Sequence, residues 1–509
     1  MAEGRLHRTL RVLGGAVTGA GVVALAAAGV AGGMLAEAPG PEPVPAPAVD
    51  VGAASLSLVC PPAPVVPTGD GGDIDYDEEF GTGGAEADVL SRLVVLGRDG
   101  APEAATAGAV GAGDPEELSA TGDLRAYEST EGASVGLLAA PSADTTALGT
   151  GAALARSDSG DLRGLTAGTC SQPAPSTWLV GGQTEAGSSA RLTLANPGET
   201  PVNVTVQIWG ATGALEDPVT VTIPAHDVRQ VLLESVSMEP RLAVHLNVDG
   251  GAVAASIQDT VLNGLVAAGT ATVTATAPPA PELQIGPVPI NANGDGSLRL
   301  VNPGDEVATV AVDVLGADGS TELPGAQDLQ VDPHTVTEVA LDGIDPGYVS
   351  IGVRSDQPVT GAVQVSRTGE PGELDPDQPV LDRAWVPATV PAEHGLLPLV
   401  GLGSMVDRAA VAVSNPGDGP VQVSVRPVGP DGERGEATEV EVPDGATVAV
   451  GNDEELALGE ASAVEITGGP VLASLTMSAD AGDGDLVGVL PLTPDADRDQ
   501  SVPVRLSTY

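Results

Sequence analysis

The residues with the clearest potential for chemistry form a short acidic run, residues 70–79. Asp73, Asp75 and Asp77 alternate in the way that the first ligands of a calcium-binding loop do. Glu78, however, occupies the position at which an EF-hand loop requires glycine for its sharp turn. Carboxylates of a solvated surface loop would give the same pattern. We therefore interpret the run as a solvated loop, and we predict neither a metal site nor a cofactor.

Histidines are the next candidates, because imidazole is the side chain most often used for acid–base catalysis. The chain contains His7, His226, His245, His334 and His394. His226 and His334 each follow a proline in the same loop of two sequence repeats described below, and the third repeat has Asp444-Gly445 there. A position shared by repeats in this way indicates a turn residue rather than a catalytic base.

Other catalytic patterns are missing from the sequence. We find no Gly-x-Ser-x-Gly elbow between a strand and a helix, and no histidine pair with zinc spacing. A phosphate-binding loop is excluded because the chain has no lysine, so that its 20 basic residues are all arginine. We predict that the protein is not an enzyme. A hydrolase with dispersed carboxylates stays an alternative, since 70 acidic residues do not point to one site.

Cys60 and Cys170 are the two cysteines of the chain. Both follow an export segment, and an even number of cysteines in an oxidising compartment is typical of a disulfide. We predict that they are bonded; two free buried thiols are the alternative. A single pair separated by 110 positions does not make a metal site.

The charge of the chain is strongly one-sided, with a formal net charge of −50. Nucleic-acid binding requires a basic surface, so we predict no nucleic-acid partner. A solubilising coat on an exported protein is the preferred interpretation. Adaptation to high salt is the second, and loose binding of Ca²⁺ or Mg²⁺ is the third.

The N-terminus carries an export signal. Arg5, Arg8 and Arg11 precede an uncharged run, residues 12–36, which is long enough to cross a bilayer as a helix. The basic flank predicts a cytoplasmic N-terminus and an extracellular C-terminal part, and thus a single-pass protein of the cell membrane. Ala36-Glu37-Ala38 resembles a cleavage site, so a signal peptide and a secreted protein are the alternative. Residues 37–50 form a Pro-rich, extended spacer.

An internal repeat organises the rest of the chain. Asn-Pro-Gly begins at Asn196, Asn302 and Asn415, and apolar residues alternate with polar ones on both sides of each copy. Alternation with period two predicts half-buried strands, and Asn-Pro-Gly between two such runs predicts a tight turn. Cys60 stands where the other copies have this asparagine, which marks an earlier, degenerate copy.

These patterns predict an all-β protein of tandem immunoglobulin-like or fibronectin-III-like β-sandwiches after one N-terminal transmembrane helix, residues 1–36. The predicted domains, called sections 1 to 4 below, are residues 51–177 (with the acidic insert), 178–280, 281–391 and 392–497. If residues 12–36 remain as an uncleaved anchor, we expect the four sections to follow one another in a string that leads outward from the membrane.

The order of motifs resembles an uncharacterised exported family of actinobacteria that is known as a domain of unknown function. The resemblance lies in the N-terminal anchor, Val59-Cys60-Pro61, the Trp178-Leu179-Val180-Gly181-Gly182 run after Cys170, and the Asn-Pro-Gly strands. It covers nearly the whole chain after the anchor. Because that family has no assigned activity, the resemblance implies no catalytic residue.

The expected function is that of a structural or scaffolding protein of the cell envelope. Its partners would be the membrane, through the N-terminal helix, and envelope proteins or a cell-wall polymer. A cell-wall or carbohydrate-binding module is the alternative. Sugar sites depend on exposed aromatic rings, however, and we predict that Trp178, Trp209 and Trp385 belong to the core.

Overall fold

The computed structural model describes residues 53–66, 87–98, 100, 102–141, 145–292, 295–373 and 375–496, and the strands at 48–50 and 501–503. The predicted membrane helix and the acidic run 70–79 lie outside the described residues. Contacts divide the chain into two units, residues 1–51 with 501–509 and residues 52–500. In the first unit, the strand Ala48–Asp50 (β1) pairs antiparallel with the strand Ser501–Pro503 (β37).

The described part of the second unit is all-β, as predicted. Its helices are two single turns of 3-10 type, Leu233–Ser235 and Leu458–Glu460. No helix within the described ranges has the length and apolar character needed to span a bilayer. The cause of the strand content is local, because valine, leucine and isoleucine recur at every second position and suit a pleated, half-buried surface.

Within its described residues, section 1 contains nine strands in two sheets, ordered β2-β8-β4-β5 and β10-β9-β3-β7-β6. The strands are β2 (Leu56–Val59), β3 (Asp88–Leu96), β4 (Ala105–Ala109), β5 (Glu116–Glu117), β6 (Ala120–Thr121), β7 (Leu124–Ser129), β8 (Val135–Ala139), β9 (Leu148–Ser157) and β10 (Gly164–Thr169). Leu58 and Leu137 of the first sheet share a core with Leu93 and Val95 of the second.

Sections 2 to 4 supply the remaining strands. Section 2 has β11 (Ser176–Val180), β12 (Ser188–Asn196), β13 (Val202–Gly210), β14 (Gly213–Ala214), β15 (Val219–Ile223), β16 (Asp227–Leu232), β17 (Ala243–Asp249), β18 (Ala254–Asn263), β19 (Val266–Val273) and β20 (Ala275–Thr276). Section 3 has β21 (Ala280–Ile290), β22 (Gly296–Val301), β23 (Ala308–Gly316), β24 (Gly319–Glu322), β25 (Leu329–Val331), β26 (Val336–Ala340), β27 (Gly347–Pro371) and β28 (Pro379–Thr389). Section 4 has β29 (Ala392–Pro398), β30 (Arg408–Asn415), β31 (Val421–Val428), β32 (Thr438–Val442), β33 (Ala446–Asn452), β34 (Ala463–Asp480), β35 (Asp485–Pro491) and β36 (Thr493–Pro494).

Sections 2, 3 and 4 share one strand order. In section 2 one sheet contains β15-β13-β17-β11 and the other β16-β12-β18-β19. Section 3 repeats this order as β25-β23-β27-β21 and β26-β22-β27-β28. Section 4 repeats it as β32-β31-β34-β29 and β33-β30-β34-β35. Within the described residues section 1 has the same order, as β5-β4-β8-β2 and β7-β3-β9-β10. Cys60 therefore follows the first strand of its section, whereas Asn196, Asn302 and Asn415 stand at the end of the second strand, so the predicted correspondence of Cys60 with these asparagines is wrong.

The asparagine of each Asn-Pro-Gly turn explains why the repeat keeps this residue. Asn302 is fully buried, and its Nδ2 donates to the carbonyl oxygens of Glu306 at 2.7 Å and Val331 at 3.0 Å. Its Oδ1 accepts the N–H of Gly304 at 3.0 Å. Asn196 and Asn415 make the equivalent bonds, to Ile223 and Val442 at the strand ends. One side chain therefore fixes its own turn and ties it to the end of a later strand, an arrangement that we call the asparagine clamp.

The sections are arranged in a closed ring, and the expectation of an outward string is wrong. Section 4 returns to section 1, where Ala152, Leu154 and Leu165 join the hydrophobic core of section 4. Trp385 of section 3 joins the core of section 2, and Val487 of section 4 joins that of section 3. Apolar side chains at the ends of the sections thus have a neighbouring section to pack against, and burying them favours a compact body over a string.

The last long strand of each section lies at the centre of this ring: β10, β19, β28 and β35 contact one another in succession. Glycines allow the close approach. A Cβ added to Gly164 would lie 2.7 Å from Oδ1 of Asp382, and one added to Gly269 would lie 3.0 Å from the backbone nitrogen of Arg383. Side chains at these two positions would push the central strands apart.

Candidate functional site

The structure brings the two predicted disulfide residues together. Cys60 and Cys170 are joined through their Sγ atoms, with their Cα atoms 3.9 Å apart. Both are buried, and the backbones of Val59 and Ser171 beside them exchange two hydrogen bonds of 2.9 Å. The pair links the end of β2, the first strand of section 1, to the end of β10, its last strand.

His226 and His334 lie in turns. Their φ angles are 51° and 59°, the left-handed region that Gly445 occupies in section 4 with φ 61°. Nε2 of His226 lies 3.1 Å from a carboxylate oxygen of Glu199, and that of His334 lies 3.0 Å from Asp305. These pairs are exposed, so each contributes about 0–1 kcal/mol at most. His226 and His334 are therefore turn residues, and each pairs with one nearby carboxylate.

Two clefts open beside these repeat turns. One, of about 440 Å³, lies between β4 and β8 of section 1 and the turn residues Glu199 and His226 of section 2. The other, of about 780 Å³, lies between sections 3 and 4 and is acidic; Glu282, Asp313, Asp318, Asp418 and Asp444 line it. Arg354 in this cleft donates to Asp313 at 2.7 Å. No group of three or more His, Cys, Asp or Glu side chains in the described ranges has the arrangement of a metal site.

The three tryptophans are buried, in agreement with the sequence interpretation. Trp178 and Trp209 are 7% exposed and Trp385 is 4% exposed. Trp178 stacks on His245 with ring centroids 4.4 Å apart, and burial lowers the pKa of this histidine. None of the three rings offers a sugar the open face that carbohydrate recognition requires.

A group of hydrogen-bonded ionisable side chains lies where section 4 meets section 1. His394 on β29 is held from both sides: Nδ1 lies 2.9 Å from Asp495, and Nε2 lies 3.2 Å from Glu465 on β34. Arg434 donates to Glu465 at 2.9 Å. Arg98 of section 1 donates to both oxygens of Asp495, at 2.6 and 2.7 Å. We call these five residues the closure cluster.

The hydrogen bonds within the closure cluster favour the charged forms of His394 and Glu465. Donation to Asp495 and Glu465 raises the pKa of His394 to about 9. Burial alone would raise the pKa of Glu465, but the hydrogen bonds from His394 and Arg434 outweigh it and lower the pKa to about 2. Because both ring nitrogens of a protonated His394 donate, the imidazole has no free lone pair with which to accept a proton at neutral pH.

A second polar group lies in the seam between sections 2 and 3. Asp259 on β18 is fully buried and accepts the indole N–H of Trp385 at 2.9 Å, and Arg383 lies 3.2 Å from it. The guanidinium of Arg299 lies 4.7 Å from the ring centroid of Trp385, within cation–π range. Arg299 also pairs with Glu338 at 2.8 Å. Buried charges at such a seam are tolerated only when paired.

Sequence reasoning identified the cysteines, the turn histidines and the buried tryptophans. It missed the closure cluster and the section 2–3 seam. His394 was examined as a lone histidine, and its partners stand 71 and 101 positions away in the chain. The signal that could have found these groups is the excess of 70 acidic over 20 basic residues, since each arginine in such a chain has many carboxylates to pair with.

Comparison with known proteins adds the family. No curated protein matches the sequence. The model of one family, described as a family of unknown function (DUF5719), matches residues 126–452, which run from β7 of section 1 to β33 of section 4. This is more than half of the 509 residues. The chain therefore belongs to the DUF5719 family.

Proposed function

We propose that the protein is a non-enzymatic structural or scaffolding protein of the cell envelope, composed of immunoglobulin-like or fibronectin-III-like sandwiches. The shared strand order of sections 2 to 4, with two sheets around one core in each, supports the sandwich assignment. In this proposal the uncharged run 12–36 anchors the chain as a single membrane pass, and the sections lie outside the cell. Secretion after cleavage of that run is the alternative.

The observation that carries the proposal is that buried ionisable side chains lie at the contacts between sections. Arg163, Arg299 and Arg383 are between 2% and 8% exposed. Each makes a polar contact with another section: Arg163 with Asp483, Arg299 with the carbonyl of Gly182, and Arg383 with Asp259.

His394 is committed as a donor in the closure cluster. Charged groups thus stabilise one assembled body. His245 lies 2.8 Å from the Ser176 hydroxyl, and its ring stacks on the buried Trp178. Such a body suits the display of an outer surface to envelope partners.

The test is cross-linking in the organism that produces the protein. Full-length protein with a C-terminal tag is recovered from fractionated envelopes after formaldehyde treatment, and its N-terminus is sequenced. A scaffold yields an intact chain in the membrane fraction with specific envelope proteins attached. A version lacking residues 1–36 that is made in the cytoplasm is the matched control for non-specific adducts.

Two results would contradict the proposal. The first is that the full-length chain carries no cross-linked proteins beyond those found on the control, which would contradict a scaffolding role. Retention of the purified chain on isolated cell-wall polymer, displaced by soluble fragments of that polymer, transfers the function to the alternative of a cell-wall or carbohydrate-binding module.

A further inference from the structure

The centre of the ring contains a carboxylate without a bonded cation. Asp382 on β28 is fully buried. Its Oδ2 accepts the backbone N–H of Val487 in section 4 at 2.6 Å and that of Leu165 in section 1 at 3.3 Å. Its Oδ1 is buried and has no hydrogen-bond partner in the described part of the chain. One side chain of section 3 therefore holds two other sections through a single oxygen.

The cationic side chain of Arg163 lies near Asp382 but is hydrogen-bonded to other groups. Arg163 donates to Asp483 with its shortest contact at 2.6 Å and to the carbonyl of Leu381 at 3.0 Å. Its charge acts on Asp382 only through space. The other charged groups around Asp382 are Arg383 on its own strand, Arg367 opposite it on β27, Asp485 on β35, and Asp259 beyond Arg383 on β18. β19 contributes no ionisable side chain to this junction.

We infer that Asp382 is a proton-operated lock on the junction of sections 1, 3 and 4, which tightens when the carboxyl takes up a proton. The proton would bind Oδ1, because Oδ2 already accepts two N–H groups. Oδ2 keeps both bonds as a carbonyl oxygen, and the junction no longer contains a buried negative charge without a bonded partner. Loss of the proton restores that charge and weakens the junction.

The electrostatics place this transition in the mildly acidic range. Burial raises the pKa of Asp382 to about 6, and the backbone N–H groups and the charge of Arg163 offset only part of the effect. The unfolded chain has an aspartate pKa of about 3.9. A folded pKa above the unfolded one means that this group stabilises the folded state as the pH falls from above 6 towards 4, and that this stabilisation is lost as the pH rises through 6.

Hydrogen exchange of the full chain tests the lock. Protection of the Leu165 and Val487 amides, corrected for the intrinsic rate, should be about tenfold greater at pH 5.0 than at pH 7.5. The amide of Val204, in the core of section 2, serves as the internal control. In Asp382→Asn, which keeps an oxygen acceptor and does not titrate, the additional protection should disappear.

Two results would overturn the inference. The first is an equal pH response of Leu165, Val487 and Val204 in the wild type, which decides the matter even if the variant does not fold. The second is an unchanged tenfold response in a folded Asp382→Asn variant, which would assign the response to another group.

Discussion

At the scale of single residues, the structure distinguishes ionisable groups that hold sections together from those that are only solvated. His394, Glu465 and Asp495 illustrate the first kind, since each is hydrogen-bonded to a charged partner and mostly buried. The exposed pair of His334 and Asp305 illustrates the second. The same residue types therefore differ in their effect on stability, and titration should show the difference.

His394 should make the stability of the protein depend on pH on the alkaline side. Its folded pKa, about 9, lies above the unfolded value of 6.5, so its contribution is complete below about 6.5 and is lost as the pH rises through 9. With a side chain that is 21% exposed, we expect about 2 kcal/mol after allowance for screening. His394→Gln should lose this contribution at pH 6 and little at pH 10, as measured by chemical unfolding.

His334→Gln is the matched control, because its histidine is exposed and pairs with one exposed carboxylate. It should change the free energy of unfolding by less than about 1 kcal/mol at either pH. Equal losses in the two variants would show that the closure cluster does not stabilise the fold more than an exposed ion pair does.

Glu465 contributes to stability on the acid side. Its pKa is lowered to about 2, so its contribution is present above about 4.5 and is lost as the pH falls through 2.

At the scale of elements, much of the architecture could be predicted because its causes are local. The run at Val219–Ile223 alternates in sequence and forms β15 with those bounds. The Asn-Pro-Gly turns were likewise predicted from three adjacent residues. The ring could not be predicted in this way. Asp382 meets Leu165 and Val487 across 217 and 105 positions, and no local pattern encodes which strands will be neighbours at that distance.

The asparagine clamp should be one of the most sensitive points of each repeat. Asn302→Ala leaves the partly buried carbonyl group of Glu306 and the buried carbonyl group of Val331 without this donor, and an unsatisfied buried group costs about 1–3 kcal/mol. We expect a loss of about 2–4 kcal/mol in the free energy of unfolding. Asn203→Ala, on the outer face of β13, is the control and should cost less than about 1 kcal/mol. Comparable losses at the two positions would show that the hydrogen bonds of Asn302 make no special contribution to stability.

The Cys60–Cys170 bond belongs to the same scale, because it ties the first strand of section 1, β2, to its last strand, β10. Peptide mapping without reduction should recover the two cysteines in one linked peptide. Cys60→Ala with Cys170→Ala should destabilise the protein by about 2–5 kcal/mol, since the bond restricts a long loop of the unfolded chain. Alkylation of both thiols in the native, unreduced protein would show that they are free.

At the scale of the whole molecule, two electrostatic effects oppose each other. The net charge of −50 makes the compact body repel itself. The arginines at the section contacts attract carboxylates of neighbouring sections, as Arg163 does with Asp483. Salt screens exposed charges far more than buried ones, so it weakens the repulsion more than it weakens the contacts.

The melting temperature should therefore rise with salt. Between about 0.01 M and 0.15 M NaCl the screening length falls from about 30 Å to about 8 Å, which removes most of the long-range repulsion. We expect a rise of roughly 5 °C, measured by scanning calorimetry at pH 7. His394→Gln should show the same slope from a lower starting temperature, because the closure cluster is mostly buried and weakly screened. A melting temperature that falls with salt would mean that exposed ion pairs, rather than the buried ones at the section contacts, hold the ring together.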